Sequence, residues 1–230
     1  FVEVLSSSDL GRTWGAPVRV NAAREEIDPG GDARPKILPG PSGRLFITWT
    51  RPLARPYTGE IRFSRSTDGG LTFEEPRTVH RDRAEITHRF DALALDREGR
   101  LFIAWIDKRD AVAAAASGRS YRGAALYYAV SSDAGATFAG DFKAADHTCE
   151  CCRIALAPAA GGGVQNFRKS PDDMWALQWM PGEFRNRSRW MARAAPTLSR
   201  MLAEDSSSRS AMSSSTPSAR SEEHTSELQS

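Results

Sequence analysis

Short runs that are apolar throughout or alternate between apolar and polar positions recur from Phe1 to Val164, each bounded by turn residues. Pro35 to Leu38, Leu45 to Thr50 and Ile61 to Arg65 form one series. Phe90 to Leu95, Leu101 to Ile106 and Leu126 to Val130 form a second, in the same order. Runs of this length and period predict β-strands, here designated A, B and C of a repeating unit. A fourth strand, D, is expected at Pro76 to His80. Phe1 to Leu5 and Pro17 to Val20 are read as the last two strands of an earlier unit. Only Ala111 to Ala116 reads as helical, a short turn inside the long B-to-C connection.

The turns repeat as well as the strands. Ser7-Ser8-Asp9-Leu10-Gly11-Arg12-Thr13-Trp14, Ser66-Thr67-Asp68-Gly69-Gly70-Leu71-Thr72-Phe73 and Ser131-Ser132-Asp133-Ala134-Gly135-Ala136-Thr137-Phe138 share one pattern, and the intervals from Asp9 to Asp68 and from Asp68 to Asp133 are similar. In such a turn an Asp accepts backbone N–H bonds, a Gly takes a positive φ, and the aromatic ring folds under to be buried. The expected roles of Asp9, Gly11, Trp14, Asp68, Gly70, Phe73, Asp133, Gly135 and Phe138 are therefore structural. Gly43-Arg44-Leu45-Phe46-Ile47-Thr48-Trp49 and Gly99-Arg100-Leu101-Phe102-Ile103-Ala104-Trp105 repeat at nearly the same interval and open strand B. A third unit starts at Arg153-Ile154-Ala155-Leu156-Ala157 and reaches Val164, where its strand B is expected to break off.

Four antiparallel strands recurring at this interval are the pattern of propeller blades. The repeated turn resembles the Asp-box, or BNR repeat, of sialidases, and the resemblance covers residues 1–164. It implies an all-β fold, a partial β-propeller of four-stranded antiparallel blades, six-bladed when complete. On this reading the chain holds the end of one blade, two whole blades and the start of another. The implied activity is that of a sialidase-like glycoside hydrolase acting on a sialylated or other acidic glycan, exported to the periplasm or the extracellular space. The alternative is a non-catalytic propeller that binds a glycan, a protein or a metal.

Charge and composition narrow the partners. Lys plus Arg number 31 against 29 Asp plus Glu, too balanced for a nucleic-acid footprint, and no apolar stretch approaches the ~18 residues of a membrane helix. Phosphate loops, dinucleotide fingerprints and nucleophile elbows are absent from the sequence. Composition also divides the chain. From Gln165 onward there is no Val, Ile or Tyr, and all five Met lie beyond position 173. Residues 165–219 are therefore read as a frame-shifted or disordered tail, or as a short amphipathic extension, and Ser206 to Ser221 as low-complexity. Residues 220–230 resemble a translated sequencing adapter.

Strands alternate direction, so the D-to-A and B-to-C connections share one face, opposite the aspartate turns. Each unit carries an arginine at or just before strand A, namely Arg34, Arg89 and Arg153. Sialidases use three arginines to hold the substrate carboxylate, and guanidinium suits bidentate binding of that group. The resemblance thus implies an anion clamp. The alternative is that each arginine pairs with a neighbouring acid such as Asp32, Asp91 or Asp146.

Retaining sialidases pair a Tyr nucleophile with a Glu and use an Asp acid/base. On the same face the chain offers Tyr57, Glu60 and Asp107, with Tyr121 as a second tyrosine. The other concentration of reactive groups is His147, Cys149, Cys151 and Cys152. Thiolate and imidazole suit zinc or cuprous copper, with His80 and His88 as further candidate donors. A disulfide or buried thiols are the alternatives. No other cofactor is expected.

Overall fold

The computed structural model describes residues 1–169 and 175–181. Its strands are β1 (Glu3–Val4), β2 (Val18–Arg19), β3 (Lys36–Pro39), β4 (Leu45–Pro52), β5 (Gly59–Ser66), β6 (Arg77–Thr78), β7 (His88–Leu95), β8 (Leu101–Asp107), β9 (Ala124–Ser131), β10 (Ala139–Thr148), β11 (Ala155–Pro158), β12 (Val164–Lys169) and β13 (Trp175–Met180). One α-helix, α1 (Arg109–Ala116), sits between β8 and β9. The strands pair antiparallel in chain order, as β1-β2, β3-β4-β5-β6, β7-β8-β9-β10 and β11-β12-β13. These are the blades of a partial β-propeller, with A, B, C and D strands at the expected places in the second sheet and A, B and C strands at the expected places in the third, whose fourth strand is β10.

The blades are held by their faces. In β8 every residue from Leu101 to Asp107 is buried. Leu101, Ile103 and Trp105 pack with Phe46, Ile61, Phe63 and Val79 of the second sheet. Phe102, Ala104 and Ile106 point the opposite way and pack with Ile154, Val164 and Met180 of the fourth. A strand covered on both faces reads as a continuous apolar run, which is why Leu-Phe-Ile-Ala-Trp-Ile shows little alternation. The first and second sheets meet similarly, through Val2, Val20, Ile47 and Trp49.

The three aspartate turns are superimposable in their bonding. The Asp9, Asp68 and Asp133 carboxylates each accept the N–H of the Thr four residues on, at 2.9, 3.0 and 2.8 Å, and its hydroxyl at 2.7, 2.5 and 2.6 Å. The leading Ser hydroxyl donates to the same Asp and accepts the N–H of Gly11, Gly70 or Gly135. The bonds from Thr13 hold the Asp9 carboxyl at about 2, and Asp68 is lowered by the same contacts with Thr72. Around Asp133 slight burial opposes the charge, but Thr137 and Ser131 outweigh it and bring the carboxyl to about 2.

The turn aromatics differ in what they meet. Phe138 places its ring edge-on to Phe63 of the preceding sheet at 5.0 Å, and Phe73 packs on the cluster of Val2, Val20, Ile47 and Trp49. Trp14 is 61% exposed and joins none of the three apolar clusters that bury the sheet faces, so its expected burial is not met.

Sheet structure does not break off at Val164. β12 runs on to Lys169 and pairs in unbroken register with β11 and with β13. The missing Val, Ile and Tyr are replaced there by Met180, buried in the core, and by Trp179, whose indole donates to the Gly162 carbonyl at 2.7 Å. Strand preference depends on what a surface packs against, and Met180 and Trp179 supply that packing here. The low-complexity stretch and the adapter-like end lie outside the described residues. No helix among the described residues is long and apolar enough to cross a membrane.

Candidate functional site

The starts of β3 and β7 and the residues leading into β11 converge on one small cavity of about 160 Å³, lined by Arg34, Lys36, Phe90, Asp91, Arg153 and Ile154. Three cations thus face one carboxylate. Asp91 is buried, accepts the Thr48 hydroxyl at 2.5 Å and pairs with the Lys36 ammonium at 3.2 Å. Lys36 also donates to the Arg34 carbonyl at 3.3 Å, which ties the two cationic positions together. Arg34 and Arg153 are exposed.

A bulge shapes the cavity wall. In the β7–β8 pairing Arg89 faces Ile106 and Ala92 faces Ala104, so Phe90 and Asp91 together oppose Trp105 alone. Neighbouring residues of a regular strand point to opposite faces. Here the extra residue, with Phe90 at φ 55°, lets both Phe90 and Asp91 line the cavity. A left-handed phenylalanine is uncommon and costs on the order of 1–3 kcal/mol, which the surrounding packing must offset.

Arg89 is placed differently from the other two arginines. Its guanidinium lies 4.8 Å over the Phe90 ring and is ion-paired with Asp28, and it is not among the cavity-lining residues. Asp146 takes Lys143 at 2.8 Å and the Tyr121 hydroxyl at 2.8 Å.

Tyr57, Glu60 and Asp107 are not brought together at the cavity; none of them lines it. Tyr57 is 78% exposed with φ 63°. Glu60 pairs with Arg51 at 2.6 Å; burial opposes its charge, but Arg51 and the Thr78 hydroxyl hold its carboxyl below the usual range. Asp107 is fully buried and accepts from the Trp105 indole at 2.8 Å, the Arg109 amide at 2.9 Å and the Arg109 guanidinium at 2.7 Å. Arg109 in turn reaches Asp141 at 2.8 Å; burial opposes the guanidinium charge, and the Asp107 and Asp141 carboxylates outweigh it. Tyr121 is likewise committed: burial and Asp146 raise its hydroxyl above the ordinary value.

His80 and His88 lie beneath this network, both fully buried, with rings stacked at 3.9 Å. His80 Nε2 accepts the Ile61 amide at 3.2 Å, so its Nδ1 carries the proton donated to the Asp82 carbonyl at 2.6 Å. Burial, then the neighbouring His88, lower His80 to about 4. Both nitrogens of His80 are thereby used within the core, and neither reaches the cysteines as a donor.

The connection from β10 to β11 gathers the three thiols. The Cys149 sulfur lies 3.3 Å from that of Cys151 and 2.8 Å from that of Cys152. His147 points elsewhere, with Nδ1 3.1 Å from the Arg122 carbonyl and its ring 4.6 Å from Tyr121. Burial and Cys149 push the Cys152 thiol up to about 12. At Cys149 burial is outweighed by hydrogen bonds from Cys152 and the Cys151 backbone, which draw its thiol down.

The sequence pointed to Arg34 and Arg153 but missed Lys36, Phe90 and Asp91 as cavity residues. The sequence offers no signal for a bulge at Phe90 and Asp91.

No protein-family model matches the chain, and no curated protein sequence matches it. Among solved structures, it is similar to a protein of unknown function from Dyadobacter fermentans, at 15% identity over 78% of this chain and 52% of that one, TM-score 0.48. It is also similar to a Penicillium chrysogenum alpha-L-arabinanase complexed with arabinobiose, at 17% identity over 63% and 48%, TM-score 0.43. A third is the NanB sialidase from Streptococcus pneumoniae, at 12% identity over 76% and 26%, TM-score 0.45. The chain spans about half the length of the first two.

Proposed function

We propose that the cavity between the strand starts binds the carboxylate of an acidic sugar, with Arg34 and Arg153 as the ligand-facing cations and Lys36 as a fixed third charge. The observation that carries this reading is the convergence of three cations against the single carboxylate of Asp91 in one cavity. Guanidinium groups bind carboxylates through paired N–H bonds, and a concave wall strengthens the attraction. At about 160 Å³ the cavity admits the anionic head of a sugar and not a whole oligosaccharide, since complete ligand pockets run from roughly 300 Å³ upward. The remainder of the ligand lies along the open rim. The resemblance of the repeated turns to those of sialidases supplies the sugar class.

For this chain the proposal is recognition without turnover, because Tyr57, Glu60 and Asp107 are not gathered at the cavity. Calorimetric titration of the full chain with N-acetylneuraminate, galacturonate and neutral galactose tests it. Both acidic sugars are expected to bind, galactose is not, and Arg34→Ala and Arg153→Ala each weaken the acids about tenfold, or ~1.4 kcal/mol. Equal binding of galactose, or no change in either variant, overturns the reading. Release of product from a fluorogenic sialoside by this chain overturns the absence of turnover.

A further inference from the structure

We propose that Cys149, Cys151 and Cys152 form a three-thiolate site for cuprous copper, distinct from the anion cavity and without His147. Their three sulfurs all lie within 4.8 Å of one another, with separations of 2.8, 3.3 and 4.0 Å. A metal held in one plane by three thiolates at roughly 2.3 Å sets the sulfurs about 4.0 Å apart. The Cys151–Cys152 separation already matches this, and the 2.8 and 3.3 Å separations need to open by about 1.2 and about 0.7 Å, within reach of side-chain rotations on a partly exposed turn. The turn is anchored at one end, where the Cys149 N–H donates to the Lys169 carbonyl at 2.8 Å. Glu150, the one residue between the first two cysteines, is paired with Lys108, which gives its carboxylate a partner other than the metal.

Donor count and softness select the ion. Among the described residues the cluster contains three cysteines and no histidine or carboxylate. Structural zinc takes four protein ligands, whereas soft cuprous copper is satisfied by thiolates in lower coordination. Three thiolates and Cu(I) leave a net negative charge, which Lys169, a favourable charge felt by the Cys149 thiol, partly offsets. Coordination transfers the thiol protons to water and leaves the oxidation states of copper and sulfur unchanged.

The test is an anaerobic titration of the reduced full chain with Cu(I) in competition with a chromogenic cuprous chelator. One equivalent is expected to bind, and Cys149→Ser, Cys151→Ser and Cys152→Ser each weaken it at least tenfold with the far-ultraviolet circular dichroism unchanged. His147→Gln retains the wild-type affinity. The proposal is overturned by no Cu(I) being withheld from the chelator, by zinc outcompeting copper, or by undiminished copper binding by Cys151→Ser. The last would leave Cys149 and Cys152 as a two-cysteine redox pair, detectable as a disulfide by mass after mild oxidation. A loss in His147→Gln equal to that of the serine variants overturns the ligand set. A serine variant that loses its circular dichroism is replaced by alanine at the exposed Cys151, where the same tenfold loss is expected.

Discussion

Arg89 is ion-paired with Asp28, 61 positions earlier in the chain, while its guanidinium covers the Phe90 ring. The pair is mostly buried, with side-chain exposures of 17% and 13%, and it spans from the connection preceding β3 to the start of β7. One of three similarly placed arginines thus braces the cavity wall, and the other two line the cavity.

Separation of these roles is measurable. Arg89→Ala strands a largely buried carboxylate and is expected to cost about 3 kcal/mol of stability. Its affinity for an acidic sugar should stay within twofold of wild type. Arg34→Ala, at an exposed position, is expected to show the reverse pattern. Chemical denaturation and calorimetric titration of the two variants check both halves; loss of binding in Arg89→Ala at wild-type stability contradicts the assignment.

The turn aromatics predict a gradient along the chain. Phe138→Ala removes a ring packed edge-on against Phe63 and is expected to cost about 2–3 kcal/mol. Trp14→Ala, at an equivalent place in its turn but 61% exposed, is expected to change stability by less than about 0.5 kcal/mol. Urea midpoints of the two variants give the comparison.

Two glycines separate backbone strain from packing. Gly69 (φ 78°) and Gly135 (φ 80°) share one left-handed conformation, but a methyl at Gly69 meets open space, whereas at Gly135 it comes within 2.7 Å of the Phe63 ring. Gly69→Ala is expected to cost about 1 kcal/mol from the backbone alone. Gly135→Ala adds the overpacking penalty, about 1–3 kcal/mol more. Equal thermal shifts for the two variants would show that the turn does not press on the neighbouring blade.

His80 makes stability acid-sensitive. Burial and His88 lower it to about 4, whereas in the unfolded chain it takes a proton near its ordinary 6.5. The unfolded state therefore binds more protons between these values, and stability falls as pH drops from 6.5 to 4. The loss is on the order of 3 kcal/mol if the shift is fully expressed. Urea midpoints measured across this window should flatten in His80→Gln, and an unchanged slope there assigns the acid sensitivity to other groups.

Local chemistry was legible in the chain itself. Strand positions followed from short apolar runs, and Asp68, Gly70 and Thr72 imply their turn because all of its bonds close within four positions of the chain. Repetition of that turn at blade spacing then implied the architecture, since one such sheet cannot cover its own two faces. Contacts between distant segments were decided only by the tertiary structure. Nothing near Arg89 indicates that Asp28 holds it, and nothing near Phe90 and Asp91 indicates the bulge that turns both toward the cavity. Past Val164 composition carries no strand signal, and β12 and β13 form because Met180 is buried with Ile154 and Val164, in contact with the third sheet. A residue's spacing states which backbone bonds are near enough to form, whereas its partner from a distant segment depends on how the blades stack.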